Sequence, residues 1–66
     1  MKYMRKYLDE QHWEEISRME LIERLGRCYR NVRQIVEELE DGKLEQIKTL
    51  FAVYKVEEVR DESDQD

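Results

Sequence analysis

The stretch that most constrains the fold is residues 20–39, ELIERLGRCYRNVRQIVEEL. Apolar residues at helical spacing stand on both sides of Gly26, namely Leu21, Leu25, Val32 and Ile35. This spacing is typical of two short amphipathic helices that each bury one face. A glycine between them lets the chain turn with positive φ. The sequence therefore predicts a helix-turn-helix over these residues.

The charge of the same region differs from that of the whole chain. Residues 24–33 contain four arginines and no acidic residue, although the chain has a net charge of −5. Residues 57–66 alone have a net charge of −5, so residues 1–56 sum to zero. A cationic turn and helix N-terminus suit the phosphates and base edges of the DNA major groove. The charge distribution therefore allows DNA binding despite the acidic total.

Three helices are predicted, over residues 4–16, 18–25 and 28–40. Ser17 and Glu20 fit a Ser-x-x-Glu capping box at the start of the second helix. Gly42 is a natural residue to end the third helix. Residues 46–56, QIKTLFAVYKV, are rich in strand-forming side chains. They predict a two-stranded wing, QIKT paired with VYKV, and a single helix is the alternative.

The expected fold class is mostly α, with three short helices and a C-terminal wing. Residues 1–56 form one small domain in this interpretation, and residues 57–66 are an acidic, flexible tail. A second interpretation joins residues 18–40 into one continuous helix, because Gly26 costs a helix only about 1 kcal/mol relative to alanine. That alternative gives an all-α hairpin or a dimeric bundle.

Few side chains indicate catalytic or metal chemistry. Cys28 is the single cysteine and lies on the apolar stripe, which predicts a buried thiol in a reducing compartment. Trp13 is expected to anchor the core. No phosphate-cradling glycine loop, catalytic triad or metal-ligand cluster is present in the sequence, so neither an enzyme nor a cofactor is expected. No apolar run approaches the ~20 residues of a membrane span, and the expected location is the cytoplasm, or the nucleoid if the chain binds DNA.

Four segments follow a recognisable order: a leucine-glycine pair, an arginine-rich helix start, a glycine link and a strand. They read Glu23-Arg24-Leu25-Gly26, Arg30-Asn31-Val32-Arg33, Asp41-Gly42-Lys43-Leu44 and Val53-Tyr54-Lys55-Val56. Together, residues 17–60 resemble the small winged helix-turn-helix domains of excisionases and MerR-type regulators. The resemblance implies double-stranded DNA as the ligand and a role in transcription or recombination.

The residue types then suggest individual contacts with DNA. Base edges are assigned to the side chains that pair with guanine or adenine, which are Arg30, Asn31 and Gln34. Phosphates are assigned to the remaining cations of this region, which are Arg27, Arg33, Lys43, Lys48 and Lys55. One such module is small, so a homodimer or a multimer on DNA is expected. Two alternatives involve a protein partner: a helical interaction module, or an acidic inhibitor that mimics DNA.

Overall fold

The computed structural model describes residues 1–58, in which two helices pack on one face of a four-stranded antiparallel sheet. The elements in chain order are β1 (Lys2–Tyr7), β2 (Glu14–Ile16), α1 (Arg18–Gly26), α2 (Val32–Asp41), β3 (Ile47–Lys48) and β4 (Ala52–Glu57). The strand order is β2-β1-β4-β3, so β1 and β4 are central. This is an α+β arrangement, and the prediction of a mostly α fold with three helices is wrong. Neither helix within residues 1–58 is long and apolar enough to cross a bilayer.

The predicted first helix, residues 4–16, is replaced by the β1–β2 hairpin. In β1 the side chains at alternate positions, Tyr3, Arg5 and Tyr7, share the face that the helices cover. Arg5 is 9% exposed, so a charged residue occupies a core position of this strand. A half-buried strand is identified from sequence by apolar residues at every second position. Arg5 interrupts that pattern because it is charged. Strand β2 has only three residues, which is too short for the alternating pattern to identify it as a strand.

The first helix of the molecule, α1, lies where the sequence predicts its second. The side-chain oxygen of Ser17 accepts a hydrogen bond of 3.0 Å from the Glu20 N–H, which confirms Ser17 as the cap. The Glu20 carboxylate accepts from Arg5, so the second hydrogen bond of the predicted capping box is not formed. The helix ends at Gly26, but the expected positive φ at this glycine is wrong, because among residues 1–58 only Gly42 has one. Arg27 ends the helix in the right-handed region, so the turn requires no left-handed residue.

A five-residue turn, residues 27–31, separates the two helices, so the continuous-helix interpretation is wrong. The Tyr29 N–H donates to the Leu25 carbonyl at 2.8 Å and closes the end of α1. Cys28 projects from this turn and is exposed, so the predicted buried thiol is also wrong. Helix α2 ends at Gly42, whose φ of 82° allows the Lys43 N–H to donate to the Glu38 carbonyl at 2.9 Å.

The C-terminal hairpin consists of β3 and β4, so residues 46–56 contain strands and not the alternative helix. Its turn contains none of the common turn residues Gly, Asn and Asp. The side chain of Thr49 stabilises the turn instead, by bonding to backbone N–H groups. The Thr49 Oγ1 accepts from the N–H groups of Phe51 at 3.2 Å and Ala52 at 3.1 Å. Of the predicted acidic tail, Glu57 ends β4, whereas residues 59–66 lie outside the described residues.

The core lies between the helices and the inner face of the sheet. Its buried members are Ile16, Leu21, Leu25, Ile35, Val36, Leu39, Ala52 and Tyr54. Trp13 is not among them, so the prediction that it anchors this core is wrong. Its ring lies beside two ammonium groups on the outer face, 4.3 Å from the Lys55 Nζ and 5.3 Å from the Lys6 Nζ. The sheet therefore has an inner face that packs against the helices and an outer face that carries Lys6 and Lys55.

Candidate nucleic-acid interface

The turn between the helices and the tip of the C-terminal hairpin form one continuous surface. We call it the turn–hairpin surface and define it as residues 27–34 and 48–51. The Tyr29 hydroxyl donates a hydrogen bond of 3.2 Å to the Lys48 carbonyl and so fastens the turn to the hairpin. Residues of both segments line a shared hollow, among them Arg27, Cys28 and Leu50. Segments some 20 residues apart in sequence are thereby presented together.

Four exposed cations lie on this surface: Arg27, Arg30, Arg33 and Lys48. Within the described residues, Arg30, Arg33 and Lys48 form no ion pair. Arg27 has only a loose contact of 3.6 Å with the Glu23 carboxylate, and both side chains are well exposed. An exposed pair of this kind contributes little to stability. The four positive charges are therefore available to a polyanion.

The polar side chains at the start of α2 are also accessible. Asn31 occupies the N-cap position, but its side chain makes no capping hydrogen bond. Gln34 is exposed and donates a long hydrogen bond of 3.3 Å to the Glu38 carboxylate. Both amides can therefore form hydrogen bonds with a ligand. They lie at the positive end of the α2 dipole, which favours an anion.

Two of the eight residues predicted to bind DNA lie away from the turn–hairpin surface. Lys43 follows the C-terminus of α2, about 15 Å from the helix start at 1.5 Å per residue. Lys55 is half-buried on the outer face of the sheet, 3.0 Å from the Glu57 carboxylate and next to Trp13. The other six lie within the turn–hairpin surface, and they are Arg27, Arg30, Asn31, Arg33, Gln34 and Lys48.

Sequence reasoning missed the apolar tip of the hairpin. Leu50 and Phe51 are 86% and 73% exposed, and Leu8 beside them is also exposed. A groove of about 530 Å³ opens between the tip and α1, with Tyr54 and Arg24 among its lining residues. The available signal was the position of the pair, because a two-stranded hairpin over residues 46–56 must place its loop residues in solvent.

The groove has a mixed electrostatic character. Burial raises the pKa of the Tyr54 hydroxyl, while the positive charges of Arg5 and Arg24 oppose that rise. Arg24 and Arg27 contribute positive charge to the groove and Asp9 contributes negative charge. The balance is cationic, although less so than at the start of α2.

The arginine of the N-terminal hairpin, Arg5, is arranged differently, because it is paired with carboxylates. The Arg5 guanidinium donates from Nε to Glu14 at 2.9 Å and from Nη1 to Glu20 at 2.6 Å. Arg5 thereby joins both strands of the hairpin to α1. Among the buried side chains of residues 1–58, no polar atom lacks a hydrogen-bond partner. These ionic contacts fix the hairpin against the helices.

A second ionic cluster joins β1 to both helices. Glu40 of α2 accepts hydrogen bonds from the Arg18 Nε at 2.8 Å and the Tyr3 hydroxyl at 2.6 Å. The Arg18 guanidinium, followed by the Tyr3 hydroxyl, holds the pKa of Glu40 below its ordinary value. Burial, followed by the Glu40 carboxylate, raises the pKa of Tyr3. This cluster lies at the opposite end of α2 from the turn–hairpin surface.

Comparison of the chain with protein-family models, curated proteins and solved structures found no match. Within residues 1–58, no three side chains capable of ligating a metal come together. The function is therefore argued from the turn–hairpin surface.

Proposed function

We propose that this chain is a small DNA-binding protein of the winged helix-turn-helix type, acting as a transcription or recombination factor. The observation that carries the proposal is the unpaired positive charge on the turn–hairpin surface. Arg30, Arg33 and Lys48 are exposed without ion-pair partners among the described residues. Unpaired surface arginines and lysines next to accessible amides are typical of a surface that binds phosphates and base edges.

The proposed contacts follow from the position of each side chain. Arg30, Asn31 and Gln34 flank or begin α2, so they would reach base edges in the major groove. Arg27, Arg33 and Lys48 would hold phosphates on either side. Lys43 and Lys55 are left out of this contact set because they lie elsewhere. A single module offers a small contact surface, so we expect two or more copies to bind adjacent sites.

Titration of the protein into a mixed-sequence duplex at two salt concentrations tests the proposal. We expect the logarithm of the binding constant to fall with the logarithm of salt concentration, with a slope of about −0.9 for each phosphate neutralised. Lys48→Ala should reduce the slope by about 0.9. The matched control is Lys2→Ala, which removes the same charge from the exposed start of β1. A folded protein that binds no duplex at low salt would refute the proposal.

The groove beside the hairpin tip favours a second candidate, a protein-interaction module. Leu8, Leu50 and Phe51 are exposed around it, and exposed apolar groups can mark a surface that another protein covers. Absence of DNA binding by the folded chain would favour this candidate. If the folded chain bound no DNA, the unpaired arginines would also have no DNA phosphates to contact.

A further inference from the structure

We propose that the groove between the hairpin tip and α1 is a binding site for a small aromatic carboxylate. Arg24 and the Tyr54 hydroxyl bind the carboxylate group, and the apolar side chains of the hairpin tip cover the ring. This inference goes beyond the proposed DNA-binding function and does not depend on it, because it concerns a second ligand.

The groove has the size and the composition of a small-molecule site. Its volume of about 530 Å³ falls within the roughly 300–1,000 Å³ of ligand pockets. Apolar and aromatic side chains form most of its wall, among them Tyr7, Leu8, Leu50 and Phe51. Leu50 and Phe51 are 86% and 73% exposed and are not part of the core, so their apolar surface is open to a ligand. The walls therefore suit a ligand with an apolar body.

The polar group that points to a ligand is the Tyr54 hydroxyl. Tyr54 is 5% exposed and lines the groove, and a buried hydroxyl usually has a hydrogen-bond partner. Within residues 1–58, no group accepts a hydrogen bond from this hydroxyl. Arg5 is close to it, but a guanidinium can only donate, and this one already binds Glu14 and Glu20. The hydroxyl proton is therefore available to an acceptor that enters the groove.

Arg24 supplies the matching positive charge. Its side chain is exposed on the last turn of α1 and, in the part of the chain that the structure describes, forms no ion pair. Burial raises the pKa of the Tyr54 hydroxyl, and the charges of Arg5 and then Arg24 oppose that rise, so the Arg24 guanidinium lies near the hydroxyl. A carboxylate accepts hydrogen bonds from a planar guanidinium and from a hydroxyl at the same time. The two side chains thus form a pair of donors for one carboxylate.

The remaining charges of the groove favour a ligand with a single negative charge. Arg27 also lines the groove, in loose contact with the Glu23 carboxylate at 3.6 Å. Asp9 is exposed at the groove and repels a second negative charge. Two arginines and one aspartate leave one net positive charge, which a carboxylate neutralises and a phosphate dianion exceeds. An aromatic carboxylate therefore fits the groove better than a phosphorylated compound.

Titration with 2-naphthoate, followed by ¹H–¹⁵N NMR of the labelled full chain, tests the site. We expect saturable shifts with a Kd of about 1 mM or below, which is usual for a ligand of this size. The shifts should be largest at the amides that border the groove, such as those of Leu8, Arg24 and Thr49. The neutral analogue 2-naphthamide has the same apolar body without the charge. It should bind at least about 10-fold more weakly.

Two variants remove the carboxylate contacts and leave the apolar wall in place. Arg24→Gln and Tyr54→Phe should each weaken binding of 2-naphthoate about 10-fold and change that of 2-naphthamide by less than about twofold. Lys43→Gln is the matched control, because it removes the same charge from an exposed position beyond the C-terminus of α2. It should leave binding of both probes within about twofold of the wild type. Circular dichroism verifies that each variant is folded.

Three outcomes would overturn the carboxylate site. Equal affinities for 2-naphthoate and 2-naphthamide would mean that the groove is only an apolar docking surface, as a protein-interaction module requires. Shifts confined to the start of α2 would mean that the naphthoate is bound by the exposed arginines there. The third outcome is the absence of saturable shifts up to about 10 mM, tenfold above the expected Kd. None of these results bears on DNA binding, which is measured without the probe.

Discussion

The arginine of the N-terminal hairpin and the arginines of the turn–hairpin surface use positive charge in opposite ways. Arg5 is 9% exposed and bonded to Glu14 and Glu20, so its charge is neutralised within the fold. Arg30 is exposed and has no ion-pair partner among residues 1–58. The difference teaches that the arginine count of a segment says little about function. What matters is whether the fold itself provides the carboxylates that pair with each arginine.

The largest expected effect comes from removing the carboxylates that pair with Arg5. The double variant Glu14→Gln/Glu20→Gln leaves a buried guanidinium without a counter-charge, and we expect the free energy of unfolding to fall by about 3 kcal/mol. Arg5→Met is the control, because the two glutamates are partly exposed and can be rehydrated. It should cost less than about 1 kcal/mol. Urea denaturation measures both, and a loss for the double variant no larger than that for Arg5→Met would mean that the carboxylates do not compensate a buried charge.

A crossed pair of arginine variants tests the comparison directly. Arg30→Ala should weaken DNA binding by about 1–3 kcal/mol and change stability by less than about 0.5 kcal/mol. Arg18→Ala should leave DNA binding unchanged, because Arg18 is engaged with Glu40 at the other end of α2. It should lower stability instead. If Arg18→Ala weakened DNA binding as much as Arg30→Ala, the division between paired and unpaired arginines would not hold.

The paired cluster around Glu40 should also make stability depend on pH. Because the pKa of Glu40 is lowered in the folded state, its carboxylate stabilises the fold above the ordinary value of 4.5. This contribution is lost as the pH falls from 4.5 through the folded-state pKa. Glu40→Gln should therefore cost about 1–2 kcal/mol at pH 7 and progressively less in acid. Thermal unfolding from pH 7 to pH 3 measures the difference, and a constant difference would contradict the assignment.

The smallest expected effect concerns the glycine at the end of α1. Gly26 has no positive φ, and a Cβ atom built there meets nothing within 4 Å. Gly26→Ala should therefore raise stability by about 0.4–1 kcal/mol and leave DNA binding unchanged. Gly42→Ala should lower it by about 1 kcal/mol, because Gly42 occupies the left-handed region. Destabilisation by Gly26→Ala would show that the turn requires the glycine after all.

The sequence predicted the helical half of the fold because its signals are local. The capping pair Ser17 and Glu20, the leucines of α1 and the terminal Gly42 each act within a few residues. The N-terminal hairpin could not be predicted, because the burial of Arg5 depends on Glu20, which is distant in sequence. Periodicity alone counts such a position as exposed.

The candidate site was predictable in part for the same reason. The arginines of residues 27–33 are identified by composition alone. By contrast, the adjacency of Arg27 to Lys48 depends on the packing of the turn on the hairpin, where the Tyr29 hydroxyl donates to the Lys48 carbonyl, and no local pattern encodes that contact. Leu50 and Phe51 fall between the two predicted strands QIKT and VYKV, but how far they are exposed follows only from the hairpin register and its packing.

The pairing of β1 with β4 has a consequence for how the chain folds. Lys2 pairs with Glu57 and Tyr7 pairs with Ala52, so the central contact of the sheet joins residues separated by about 50 positions. Loop-closure entropy must be overcome before this contact contributes any stability. Folding should therefore be slow for a chain of this size. The helices can form early from local signals, but they acquire the sheet that buries them only after the chain has been synthesised through β4.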